Sequence, residues 1–164
     1  MASRASRSPP YVVPKETSRM NLFADNSALK LYALVSSLIA LELILLALWT
    51  GTVRVMRKQW VNPEDAKLNK GEQAENDHPD VLRVKRAHQN LLENAVPFFV
   101  IALAYALTRP SDLGAQAYFY TFLGARVLHA IFYLWGRQPF RTLMFAVGVA
   151  TMIGMAVHVV RAVV

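Results

Sequence analysis

LYALVSSLIALELILLALW, residues 31–49, decides the fold: nineteen residues carrying a single charge, Glu42. A helix crosses the hydrocarbon core of a bilayer with ~20 apolar residues, whereas a soluble helix of that length shows only an apolar stripe. Tyr32 and Trp49 stand near opposite ends of the run, where amphipathic rings favour the membrane–water interface. Three more apolar stretches follow. The chain is therefore expected to be all-α, an integral membrane four-helix bundle running up-down-up-down. Its helices are placed at about 28–52, 81–108, 114–135 and 139–161, in one transmembrane domain over 28–164.

Composition agrees with that reading and narrows the chemistry. Of the 164 residues 54% are hydrophobic, above the usual globular share. The net charge of +7 does not point to nucleic acid, because the basic residues flank hydrophobic spans. With no cysteine there is no disulfide, no zinc-thiolate site and no protein thiol nucleophile, so any sulfur chemistry uses a thiol brought by a ligand. His78, His88, His129 and His158 lack metal-ligand spacing, and no metal is expected. Residues 1–27, with Arg4, Arg7, Pro9, Pro10 and Pro14, read as a disordered or surface-lying tail and not as a secretory signal.

Between the first two helices lies a polar segment, 53–80. Asn62-Pro63-Glu64-Asp65 reads as a turn or helix start, and Gly71 and Asp77-His78-Pro79-Asp80 as breakers. Pro97 interrupts the second helix and is expected to kink it. Gly148 and Gly154 offer close contact on the fourth. Residues 53–86 carry eight Lys and Arg, and Arg137 and Arg141 follow the third helix, against Arg109 alone in the intervening loop. The positive-inside rule places the richly basic loops in the cytoplasm, although the tail and Lys30, with five basic residues, argue the other way.

Ionisable residues at membrane depth cost several kcal/mol unless paired or hydrated, and so mark function. Arg83, Arg86, Asn90 and Glu93 fall at i, i+3, i+7 and i+10 of one helix. Arg126, His129 and Tyr133 share a face of the next. Arg54 and Lys58 end the first helix, and Arg141 and Thr142 open the last. Alternating helix direction brings all four sets to one end, predicting a mostly cationic pocket near the cytoplasmic surface. Structural roles compete: Lys85 as a headgroup anchor, Glu93 and Arg126 as partners across helices, Asn90 as a helix–helix hydrogen-bonding residue, His129 as an interior histidine. Glu42 is expected to meet a cation on another helix. Arginine forks match carboxylates, and Glu93 with Asn90 could receive an ammonium. Glutathione has two carboxylates, one amine and one thiol; a nucleotide or an anionic headgroup would also satisfy the arginines.

Residues 83–98, RVKRAHQNLLENAVPF, resemble the signature of the MAPEG proteins, membrane-associated proteins in eicosanoid and glutathione metabolism. Val53-Arg54 through Asn62-Pro63-Glu64-Asp65-Ala66 is similar to that family's first cytoplasmic loop, and Gly124–Tyr133 to its third-helix motif. Within the family the chain is similar to the branch of the microsomal glutathione transferase and the microsomal prostaglandin E synthase. The resemblance implies a homotrimer with glutathione bound between subunits near the cytoplasmic face. It implies that Arg54, Arg86, Asn90, Glu93, His129 and Tyr133 bind this cosubstrate. Arg141, helped by Thr142 and Arg126, would stabilise its thiolate for attack on a lipophilic electrophile or a lipid hydroperoxide arriving from membrane lipids. Localisation would be multi-pass, in the endoplasmic reticulum of a eukaryote or the inner membrane of a bacterium. Leu82, Gln89, Leu91, Thr142 and Phe145 depart from the motifs, at positions of Glu, Arg, Asp, Ser and Tyr. These departures weaken prostaglandin isomerisation, the second activity the branch implies, more than conjugation. A non-catalytic lipid-binding scaffold and a transporter are the readings from other classes.

Overall fold

The computed structural model describes Phe23 and residues 25–164, so the expectation for the tail falls almost wholly outside the described residues. Helix α1 spans Ser27–Arg57, α2 Pro63–Leu68, α3 Pro79–Leu107, α4 Asp112–Leu134 and α5 Phe140–Val163. Asn26 caps α1 by accepting the Leu29 amide at 3.0 Å, and Ser111 caps α4 by accepting that of Gly114 at 3.2 Å. The first helix runs through Gly51 to Arg57, beyond its expected end, and stops where Lys58 turns left-handed at φ 51°. Helix α3 continues through Pro97 without a break.

The segment between α1 and α3 is more ordered than its polar sequence suggests. Pro63 opens α2 at the first helical position. Strands β1 (Gln59–Trp60) and β2 (Glu72–Gln73) form a parallel pair, a small exception to the all-α expectation. Trp60 is buried over Gly71, where a Cβ would lie 1.8 Å from the indole ring, so only glycine fits there.

Helices α3 and α4 form the centre; both touch α1 and α5, while α1 and α5 make no contact among the described residues. Phe98 and Phe122 stack at 4.0 Å between them, and Phe119 and Tyr105 meet edge-on beside that pair. Small residues (Ala95, Ala102, Ala106, Ala115) are fully buried and let the central helices approach. Large apolar side chains lie outside instead: Leu41, Ile44, Leu45 and Leu48 on α1 are more than half exposed. Such a surface is unstable in water and suited to lipid. Helices α1, α3 and α5 are long and apolar enough to cross a membrane. Four such spans were expected; α4 has 23 residues, but Arg126, His129 and its tyrosines lower its apolar character.

Candidate functional site

Three helix segments build a cleft at one end of the bundle. Pro79 and the His78 cap, whose Nδ1 accepts the Asp80 amide at 3.2 Å, start α3 so that Arg83, Arg86 and Asn90 succeed one another along one face. Helix α4 ends with His129 and Tyr133 one turn apart, and the first turns of α5 carry Arg141, Thr142 and Phe145. These side chains enclose two adjoining hollows. The outer, of about 330 Å³, is lined by Arg83, Arg86, Tyr133, Gly136 and Arg141, with Pro79 and Leu82. The inner, of about 320 Å³, is lined by Asn90, His129, Tyr133, Arg141, Thr142 and Phe145. Tyr133 and Arg141 belong to both, and the Arg141 guanidinium lies 4.6 Å from the Tyr133 ring centre.

The outer hollow holds three guanidinium groups and no carboxylate, an anion site by composition. The inner one is less polar: His129 is 5% exposed and packs its ring against Tyr133 and Phe145. The amide oxygen of Asn90 is buried without a hydrogen-bond partner. A buried acceptor left unpaired costs about 1–3 kcal/mol, so its pairing with a ligand donor is favoured. Gln138 joins the site from the α4–α5 turn. With its amide oxygen toward Arg141 it accepts from Nε at 3.2 Å while its nitrogen donates to Thr142 Oγ1 at 3.0 Å, the orientation that satisfies both neighbours.

Of the residues expected at the site, Arg86, Asn90, His129, Tyr133, Arg141 and Thr142 come together. Arg126, Glu93 and Arg54 do not line the cleft of a single chain. Arg126 is 1% exposed and points into α5, donating through Nη2 to the carbonyls of Met144 and Phe145, both at 3.2 Å. Its guanidinium lies between the Phe122 and Phe145 rings, in a notch at Gly148 where a Cβ would come within 2.0 Å of Nη2. It therefore stands behind the cleft wall; helical spacing fixes a shared face but not which neighbour a long side chain reaches. Glu42 of α1, expected to pair with a cation on another helix, forms no ion pair with Arg126 or any other cation among the described residues. Both Glu42 oxygens, and Arg126 Nε and Nη1, remain unpaired in the interior. Glu93 is exposed and accepts from Gln89 Nε2 at 3.0 Å, because ten residues of helix have carried it off the Arg83 face. Arg54 is turned to Asp77, binding both carboxylate oxygens at 3.0 Å.

Sequence reasoning put Arg83 on the right face without counting it among the site residues, and it missed Gly136 and Gln138. Gly136 takes φ 68°, and a Cβ there would press on Arg83 at 3.2 Å; a Gly after an aromatic helix end was the available signal. For Gln138 no pattern pointed to the cleft.

Residues 32–161 match the MAPEG family. The chain belongs to that family. Among MAPEG relatives, it is 39% identical over 142 residues to microsomal glutathione S-transferase 1 of Rattus norvegicus, covering 84% of this chain and 92% of the relative. It is 36% identical over 137 residues to prostaglandin E synthase of Equus caballus, covering 83% and 90%, and 33% identical over 140 residues to that of Homo sapiens, covering 85% and 92%. As a MAPEG protein with three membrane-capable helices, this chain is an integral membrane protein.

Proposed function

We propose that this MAPEG protein is a membrane-bound glutathione transferase that presents glutathione as its thiolate to lipophilic electrophiles, with lipid hydroperoxides as a second substrate class. The observation that carries this is the cleft itself: three arginines in the outer hollow, adjoining an inner hollow where Arg141 and Thr142 face a buried, unpaired Asn90 oxygen. The residues suit the tripeptide. Arg83 and Arg86 match its carboxylates, Asn90 accepts from its amine, and Tyr133 walls the chain between them. When bound, the tripeptide supplies the sulfur nucleophile that a cysteine-free chain lacks. Arg141 stabilises the negative sulfur, Thr142 donates a hydrogen bond to it, and Gln138 holds both donors in place. Buried His129 and the ring of Phe145 line the inner hollow, and the low polarity of that wall strengthens the electrostatic effect.

Four of the helices, α1, α3, α4 and α5, form the membrane bundle in this reading, with the basic end in the cytoplasm. Helix α4 crosses with Arg126 and His129 turned inward, where α5 carbonyls and aromatic rings receive them. The assembly is a trimer. Leu92, Val96, Val100, Leu103 and Leu107 leave an exposed apolar stripe along α3, and Glu93 lies beside it. A carboxylate in that position needs a polar partner, and a neighbouring subunit presenting its own cleft provides one. On this basis Glu93 completes the amine site in trans.

The relatives named prostaglandin E synthase favour a second activity, isomerisation of prostaglandin H2 with the same thiolate. An assay supplied with a generic electrophile and with the endoperoxide separates the two. For the thiol transferase itself, Arg141→Ala in detergent-solubilised trimer is expected to lose most conjugation while glutathione still binds. Undiminished conjugation by that variant rules the mechanism out.

A further inference from the structure

Two hollows meet along the seam between α1 and α4. The larger, of about 690 Å³, is lined chiefly by apolar side chains, among them Leu38, Leu41 and Leu45 of α1 and Leu123, Val127 and Ile131 of α4. Glu42 also borders it, but both its carboxylate oxygens are buried. The wall follows α1 from Leu38 to Trp49, roughly 16 Å at ~1.5 Å per residue. That is about half the ~30 Å hydrocarbon core, the depth one acyl chain fills. The second hollow, of about 390 Å³, shares Trp49 and Leu134 with the first and continues it toward the basic end of the bundle, where Arg57, Asp80, Arg83 and Trp135 join the lining. Helix α1 extends over roughly 46 Å, so its Arg57 end reaches headgroup level in a bilayer of about 40–45 Å with headgroups. Trp135, largely exposed, is the kind of amphipathic ring that settles at that level.

The charges of the second hollow are unequal: two guanidinium groups stand against one carboxylate. Asp80 is already taken by Arg57, which donates to it through Nη2. Arg83 Nη1 donates to the Leu134 carbonyl at 3.3 Å, and its side chain borders both this hollow and the cleft. Arg57 is half-exposed, and its Nε and Nη1 carry no partner among the described residues. The place suits a phosphate, whereas an ammonium would find no unpaired carboxylate there. We propose that this seam seats one phospholipid of anionic headgroup, its phosphate on Arg57 beside Arg83 and one acyl chain in the apolar hollow. The inference rests on α1 and α4 crossing the bilayer side by side and is independent of the glutathione reading.

The test is tryptophan quenching in the full chain, reconstituted into vesicles of phosphatidylcholine and phosphatidylglycerol in equal parts, with brominated chains on one lipid at a time. Trp49 and Trp135 border the site and report on it. One excess positive charge gives roughly fivefold higher occupancy by the anionic lipid, so brominated phosphatidylglycerol should quench more than brominated phosphatidylcholine. Arg57→Gln should bring the two lipids to equal quenching, and Arg57→Lys should keep the excess. Asp80→Asn, which removes the competing carboxylate, should enlarge it. Lys30→Gln, near the opposite end of α1, should leave it unchanged. A purely structural Arg57–Asp80 pair would shift Arg57→Gln and Asp80→Asn in the same direction, and that result overturns the inference. Equal quenching by the two lipids in the unmodified protein does so as well, as does a loss in Lys30→Gln that matches the loss in Arg57→Gln, the mark of bulk attraction. Quenching by neither lipid also overturns it, the seam then being covered by protein. Failure of the chain to float with the vesicles removes the membrane placement of α1 and α4 on which the inference stands.

Discussion

Arg126 and Arg141 lie on facing helices, yet their surroundings differ. Arg141 stacks on Tyr133 at the cleft, while Arg126 is sealed among carbonyls and aromatic rings. Replacing Arg141 with Lys keeps the charge but loses the fork and the stacking. Turnover should fall about 10–100-fold, less than for Arg141→Ala, with helicity unchanged by circular dichroism. Replacing Gly148 with Ala drives a methyl into the Arg126 guanidinium. That overpacking should cost about 1–3 kcal/mol, read as a lower melting temperature in detergent. Both charge sets were visible in the sequence because i, i+3, i+7 spacing survives folding into any helix. What the spacing could not show is depth. Arg126 and His129 share a face, but the guanidinium extends past the histidine into the Gly148 notch, and only the neighbouring helix determines that. Glu42 was legible as a charge in need of a cation; that both its oxygens stay unpaired depends on which helices are neighbours.

At the scale of the element, the polar connection between α1 and α3 acts as a docked piece and not as a loose loop. Asp77 anchors it. Its carboxyl is held below the ordinary carboxylate range, chiefly by the hydrogen bonds from Arg54, with Lys85 adding to the effect against the opposing cost of burial. A lowered folded-state pKa means stability that is fully present above the unfolded value of ~3.9 and lost as pH falls through the folded value. Acidification from about pH 5 downward should therefore lower the melting temperature more in the unmodified protein than in Asp77→Asn. Parallel slopes for the two would remove this role. In the same piece Gly71→Ala forces Trp60 out of its seat, and the indole emission should shift to the red. The helix start at Pro63 could be read from sequence, because proline at the first helical position carries its own signal. The two-residue strand pair could not, since Gln59-Trp60 and Glu72-Gln73 are too short for any alternation to register. Gln138 and Gly136 were hidden for a related reason: a turn between helices has no period.

On the scale of the molecule, the hydrophobic stretches determined the helices almost alone, because in lipid a backbone must satisfy its own hydrogen bonds. The fold could thus be read before its contacts. The site was partly legible: six of its expected residues meet in one chain, while Glu93 remains outside with Arg54 and Arg126. If Glu93 acts across a subunit boundary, Glu93→Gln should weaken glutathione binding without altering the mass of the assembly by native mass spectrometry. A trimer mixed from Glu93→Gln and Arg141→Ala chains should regain activity in those sites that receive an intact residue from each. No recovery in the mixture would place Glu93 outside the site.

In the proposed mechanism, catalysis depends on cationic side chains ionising a bound thiol. A free thiol loses its proton near ~8.5, and adjacent cations lower that value. The most direct measurement is the ultraviolet absorbance of the thiolate, followed against pH for glutathione bound to the solubilised protein. Bound glutathione should titrate at least a full pH unit below the free tripeptide, and Arg141→Ala should return it to the free value. A bound thiol that titrates with the free one, or a shift that survives loss of Arg141, would contradict the mechanism.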